Sequence, residues 1–129
     1  MKSIKENTSI EIIINKSRFI TVLLKINNKD DVKEKLIEYK RLYKDATHYC
    51  YAYVLDNYAK CSDDGEPQGT AGMPILNNLQ VKDLTNVLCI VIRYFGGIKL
   101  GAGGLIRAYS RCANEVINKA QITNLIRGY

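Results

Sequence analysis

Near the N-terminus Ile10, Ile12 and Ile14 recur at every second position, and Phe19 to Ile26 resumes a β-rich run after Asn15-Lys16-Ser17-Arg18. A period of two places alternate side chains on one face, so this stretch predicts a β-hairpin. From Asp30 to Tyr43 the period changes, with Val32, Leu36, Tyr39 and Tyr43 at helical spacing. Asn28 stands where an N-cap belongs, and Asp30 and Asp31 suit the positive end of the helix dipole. His48 to Leu55 returns to strand chemistry, with His48, Cys50, Ala52 and Val54 on one face and Tyr49, Tyr51, Tyr53 and Leu55 on the other. Residues 57–68 lose periodicity and have the composition of a surface loop. Met73, Leu76 and Leu79 predict a short helix over Ala71 to Leu79, with Pro74 in its first turn and Thr70 as its cap. Asn86 to Tyr94 is continuously apolar through Val87–Ile92, as a strand buried on both faces requires. Beyond a glycine-rich stretch, Leu105, Ile106, Tyr109, Ala113, Val116, Ile117 and Ala120 form the inner stripe of a second long helix.

The order β, β, α, β, short α, β, α predicts an α+β fold, a two-layer sandwich in which a mixed β-sheet carries helices on one face. At 129 residues there is room for one domain. That domain is expected over residues 1–120. Residues 121–129 break the helical stripe, leave Ile122, Leu125 and Ile126 without a clear partner, and read as a tail or linker stub. The longest apolar run, Val87 to Ile92, is far below the roughly 20 residues that cross a bilayer, and residues 1–7 carry no signal-peptide pattern. Four cysteines without a C-x-x-C pair fit a reducing cytoplasm. Nineteen Lys and Arg against thirteen Asp and Glu give a net charge of +6, which permits an acidic partner such as RNA or a phosphorylated ligand.

Two segments concentrate candidate chemistry. Arg93 to Arg107 holds five glycines between the buried strand and the long helix, and glycines before a helix expose backbone N–H groups at the positive end of its dipole. Arg93, Gly96, Gly97, Lys99, Gly101, Gly103, Gly104 and Arg107 are therefore candidates for binding an anion or a nucleic acid. The alternative is that the glycines only supply positive φ angles and tight packing. The segment is not a P-loop, because no Lys-Ser or Lys-Thr pair follows, and no cofactor fingerprint is present. In the second segment Asp63, Asp64 and Glu66 could border that site and hold a hard cation, or simply form a solvated Asp-Gly turn.

Two further constellations are weaker. His48, the single histidine, shares a strand face with Cys50, which suggests either a nucleophilic pair or a structural histidine; no zinc-ligand spacing accompanies it. Tyr49, Tyr51 and Tyr53 could stack on unpaired bases if their face is open, or cover the core if it is not.

Lys16-Ser17-Arg18-Phe19-Ile20, the His48-to-Val54 strand, the Asp63-to-Pro74 segment (DDGEPQGTAGMP) and the Arg93-to-Tyr109 segment (RYFGGIKLGAGGLIRAY) together resemble the YigZ/IMPACT family over residues 9–120. The resemblance implies a fold related to the second domain of ribosomal protein S-five. Bacterial YigZ-type members typically continue into a ferredoxin-like domain, and eukaryotic members carry an N-terminal partner-binding domain; neither is expected within this chain. The function expected is a cytoplasmic, translation-linked binding or regulatory module rather than an enzyme, contacting RNA or nucleotide phosphates, with Asp63, Asp64 and Glu66 bordering the site. A metal-assisted hydrolase or transferase acting on a small phosphorylated or peptide-like substrate is the second reading. An interaction module for a ribosome-associated protein is the third.

Overall fold

The structure, a computed structural model, describes residues 1–125. Five strands form one sheet in the order β2-β3-β6-β4-β5: β2 (Thr8–Ile14), β3 (Ser17–Lys25), β4 (His48–Leu55), β5 (Tyr58–Ser62) and β6 (Val87–Tyr94). The helices are α1 (Lys29–Leu42), α2 (Gly72–Val81) and α3 (Gly101–Lys119). A separate pair joins β1 (Lys2–Ile4) to β7 (Ile122–Asn124), with Leu125 N–H donating to the Met1 carbonyl. Ile122 and Leu125 thus have partners in a segment expected to be a stub; Ile126 lies outside the described residues.

The α+β class is as expected, but two particulars differ. Every pairing in the sheet is antiparallel rather than mixed. The crossover from β3 through α1 to β4 leaves a slot one strand wide, and β6 fills it running the opposite way. The helices also divide between the faces. Phe19, Leu23, Cys50, Ala52, Cys89 and Val91 pack with α2 and α3, whereas Ile20, Val22, Leu24, Leu88, Ile90 and Ile92 pack with Val32, Leu36, Tyr39 and Tyr43 of α1. Strands apolar on both faces need cover on both, and β3 and β6 are such strands.

Local signals explain most boundaries. Asn15 and Lys16, both at positive φ, make a two-residue hairpin turn, so β3 begins at Ser17 and the break is shorter than expected. Asn28 caps α1 by accepting from Asp31 N–H at 2.9 Å. Residues 58–62, expected to be loop, form β5, because the β4–β5 hairpin gives their backbone a ladder that polar side chains do not advertise. Met73 and Ile106, expected in the core, are 44% and 43% exposed, and Cys112 completes the buried stripe of α3 instead.

Candidate functional site

The site lies where β6 ends, the glycine-rich turn begins and α3 starts. Its centre is Glu66, whose side chain is 3% exposed. Arg93 Nη1 donates to Glu66 Oε2 at 2.7 Å, and Tyr109 Oη donates to the same oxygen. His48 Nε2 lies 3.3 Å from Glu66 Oε1. Burial raises the Tyr109 phenol far above its ordinary range and keeps it a donor. On its other side the Arg93 guanidinium reaches Ser17 Oγ through Nε at 3.3 Å and Nη2 at 3.2 Å, and the same hydroxyl accepts from Gly96 N–H at 3.2 Å. One buried serine therefore ties the Lys16-Ser17-Arg18 turn to both the strand end and the glycine turn.

The acidic loop does not act as one cluster. Asp63 turns inward and caps α2, accepting from Gly69 N–H at 2.9 Å, Ala71 N–H at 3.1 Å and Gly72 N–H at 2.8 Å. Thr70, the expected cap, donates instead to the Pro67 carbonyl. Asp64 Oδ2 accepts from Tyr49 N–H, and its carbonyl accepts from His48 Nδ1 at 2.8 Å. Only Glu66 lines the cavity. Among the described residues no group of three or more His, Cys, Asp or Glu side chains stands ready to hold a metal ion. The metal-assisted reading draws no support from Asp63, whose two carboxylate oxygens both accept from the backbone, and Asp64 gives its Oδ2 to Tyr49 N–H.

Desolvation works against the charge on Asp63, yet the three backbone N–H groups outweigh it and hold the carboxyl below its usual range. A lowered folded-state pKa contributes stability that is present above the unfolded value, about pH 4, and is lost as pH falls through the folded value. Asp63→Ala is expected to lower stability at pH 7 by about 1 kcal/mol, the scale of a lost helix cap, and to weaken the fall in stability below pH 4. Urea midpoints of both proteins at pH 7 and pH 3 check this; identical acid sensitivity would count against the cap.

A cavity of about 390 Å³ opens over this centre, lined by Thr47, His48, Glu66, Pro67, Arg93, Phe95, Lys99, Leu100, Gly101, Ala102 and Leu105. The expected anion residues separate into four groups. Arg93 is buried and committed to Glu66, so it floors the cavity rather than facing solvent. Lys99 and Gly101 are exposed at the mouth, where α3 begins behind Leu100 without a side-chain cap. Gly104 and Arg107 line a neighbouring hollow with Asn15 and Arg111, on the other side of Leu100, and the Arg107 guanidinium leans back toward Gly103. Gly96 and Gly97 shape the turn. The Arg93 charge offsets that of Glu66, so the N–H groups of the first turn of α3 act beside Lys99 with no net negative charge beneath them.

The other sequence candidates resolve as structural. The fully buried Cys50 thiol donates its one proton to the Asp63 carbonyl at 3.1 Å and lies 3.4 Å from the Tyr109 hydroxyl, and burial pushes it well above the ordinary thiol range, which is the setting of a structural thiol. Tyr49, Tyr51 and Tyr53 face α1 rather than open solvent; Tyr53 is buried and Tyr49 Oη donates to the Tyr43 carbonyl. Two residues of this centre escaped sequence reasoning as site residues: Tyr109, read as helix core, and Ser17, read as part of a break. The signal available for Tyr109 was a hydroxyl on an otherwise apolar stripe, which a buried ring must satisfy.

Fold and site together define the class: an α+β domain with a wholly antiparallel sheet between helices and a charge-paired cavity at the N-terminal end of α3. The chain belongs to the Impact N-terminal domain family, whose model matches residues 15–117. It is 46% identical over 119 residues to "IMPACT family member YvyE" of Bacillus subtilis, covering 90% of this chain and 55% of that protein. It is 38% identical over 111 residues to "IMPACT family member YigZ" of Escherichia coli, covering 82% and 54%. The chain thus spans about half the length of these curated relatives. A solved structure described as a hypothetical protein matches with a TM-score of 0.91 and 33% identity over 95% of this chain and 62% of that one. The two-domain translational regulator Yih1 shares the fold with a TM-score of 0.56 at 22% identity over 90% of this chain and 48% of that one.

Proposed function

We propose that this domain is a translation-linked binding module of the cytoplasm that holds phosphates of RNA or a nucleotide at the N-terminus of α3. The observation that carries this reading is the uncapped first turn of a 19-residue helix opening beside Lys99 onto a concave cavity. The N–H groups of that first turn, which no N-cap side chain covers, and the lysine ammonium present positive charge to the same space. Arg107 and Arg111 extend the basic surface past Leu100, although Arg111 also pairs with Glu115. Kinship with a family whose fold recurs in a translational regulator supports the cellular setting.

Fluorescence anisotropy of a labelled single-stranded RNA tests the reading. Lys99→Ala is expected to weaken binding at low salt and to reduce the slope of log K against log[salt] by roughly one contact, and Arg107→Ala to do so for a second contact. Arg93→Ala is unsuitable as a probe, because it strands Glu66 in the interior. Unchanged affinity in the Lys99→Ala and Arg107→Ala double variant at every salt concentration would remove the phosphate site from this end of the molecule.

A further inference from the structure

We propose that the cavity receives one unstacked nucleobase of a single-stranded RNA against the Phe95 ring, while the flanking phosphate stays at the mouth beside Lys99. The inference rests on the phosphate reading and adds the base to it. About 390 Å³ is on the scale of small-molecule sites and enough for a single base. Its lining combines apolar side chains, Phe95, Pro67, Leu100 and Leu105, with the polar groups of Glu66, His48 and the Arg93 paired to Glu66. That is the combination a splayed base requires, with a flat face to stack and an edge to hydrogen-bond.

Phe95 is suited to the stacking role by its setting. It is 45% exposed at the cavity, its N–H is pinned by Thr47 Oγ1 at 2.9 Å, and the Arg93 guanidinium lies 5.4 Å from its ring centroid. The Phe95 backbone is therefore anchored, and its ring lies against the Arg93 guanidinium without being buried. The tyrosine row of β4, by contrast, lies beneath α1. Among the described residues, Glu66 Oε2 is occupied by Arg93 and Tyr109, whereas Oε1 has the 3.3 Å contact with His48 alone. A carboxylate oxygen with a free lone pair is an acceptor for an amino or imino N–H on a base edge.

The test uses a labelled single-stranded RNA pentamer and the same pentamer with an abasic central position, each titrated against the wild-type chain and the Phe95→Ala, Phe95→Trp and Lys99→Ala variants. The wild type is expected to bind the abasic pentamer on the order of tenfold more weakly, the scale of one lost base–aromatic stack. Phe95→Ala should bring the intact pentamer down to the abasic level, Phe95→Trp should restore the difference, and Lys99→Ala should weaken both pentamers alike. Equal binding of the two pentamers by the wild type, or a base-dependent difference that survives Phe95→Ala, overturns the proposal while leaving the phosphate reading in place. If neither pentamer binds the wild type at low salt, the phosphate reading fails and this inference fails with it.

Discussion

Glu66→Ala is expected to lower the free energy of unfolding by about 3–5 kcal/mol, the range for breaking a buried ion pair by removing one partner. Glu66 is the only acid paired with Arg93 among the described residues, and Arg93 is 4% exposed, so the variant would leave a guanidinium in the interior with only Ser17 Oγ to accept its hydrogen bonds. Tyr109 would lose its acceptor too, and its hydroxyl would keep only the 3.4 Å contact with the Cys50 thiol. Replacing both members of the pair, Glu66→Leu with Arg93→Met, should recover part of the loss, because the stranded charge goes with its partner. Urea denaturation of Glu66→Leu, Arg93→Met and the double variant forms the cycle. A Glu66→Ala loss below 1 kcal/mol, or strictly additive single effects, would show that the pair does not hold this end of the sheet.

The second large effect separates two neighbouring glycines. A Cβ on Gly96 would stand 2.1 Å from the carbonyl carbon and oxygen of Lys16, which are backbone atoms of the β2–β3 turn and cannot swing aside. Gly96→Ala is therefore expected to cost about 3 kcal/mol, at the upper end for forced overpacking, and to pull the glycine turn from Ser17. A Cβ on Gly97 meets nothing within 4 Å, but its φ of +90° strains any other residue, so Gly97→Ala should cost about 1 kcal/mol. Thermal and urea unfolding of the two variants compare them directly. Equal losses would mean that backbone freedom, rather than close approach, is what this turn requires.

These two residues show where sequence reading stopped. The glycine-rich turn is conspicuous in the sequence and admits both functions of glycine, but which glycine serves which depends on Lys16, some 80 positions earlier in the chain. Arg93 presented the same difficulty. Beside glycines in a basic chain it reads as a phosphate ligand, and nothing local reveals that Glu66 neutralises it. The three carboxylates of the acidic loop are close in sequence yet point to three destinations, because positive φ at Asp64 and Gly65 reverses the chain between them.

Elements with local signals are written in the amino-acid order: the α1 boundaries through the Asn28 cap and the 3.6-residue stripe, the two faces of β4, the doubly buried β6 and the long α3. It also determined the family, through long motifs that leave little room for coincidence. Only the tertiary structure decided the antiparallel insertion of β6 between β3 and β4, the cover of α1 on the second face, the pairing of β1 with β7 and the meeting of Glu66, Arg93, Tyr109 and His48. The division has a physical basis. Periodicity and capping act over a few residues and are written along the chain, whereas strand order and buried charge pairing depend on which distant surfaces exclude water from one another.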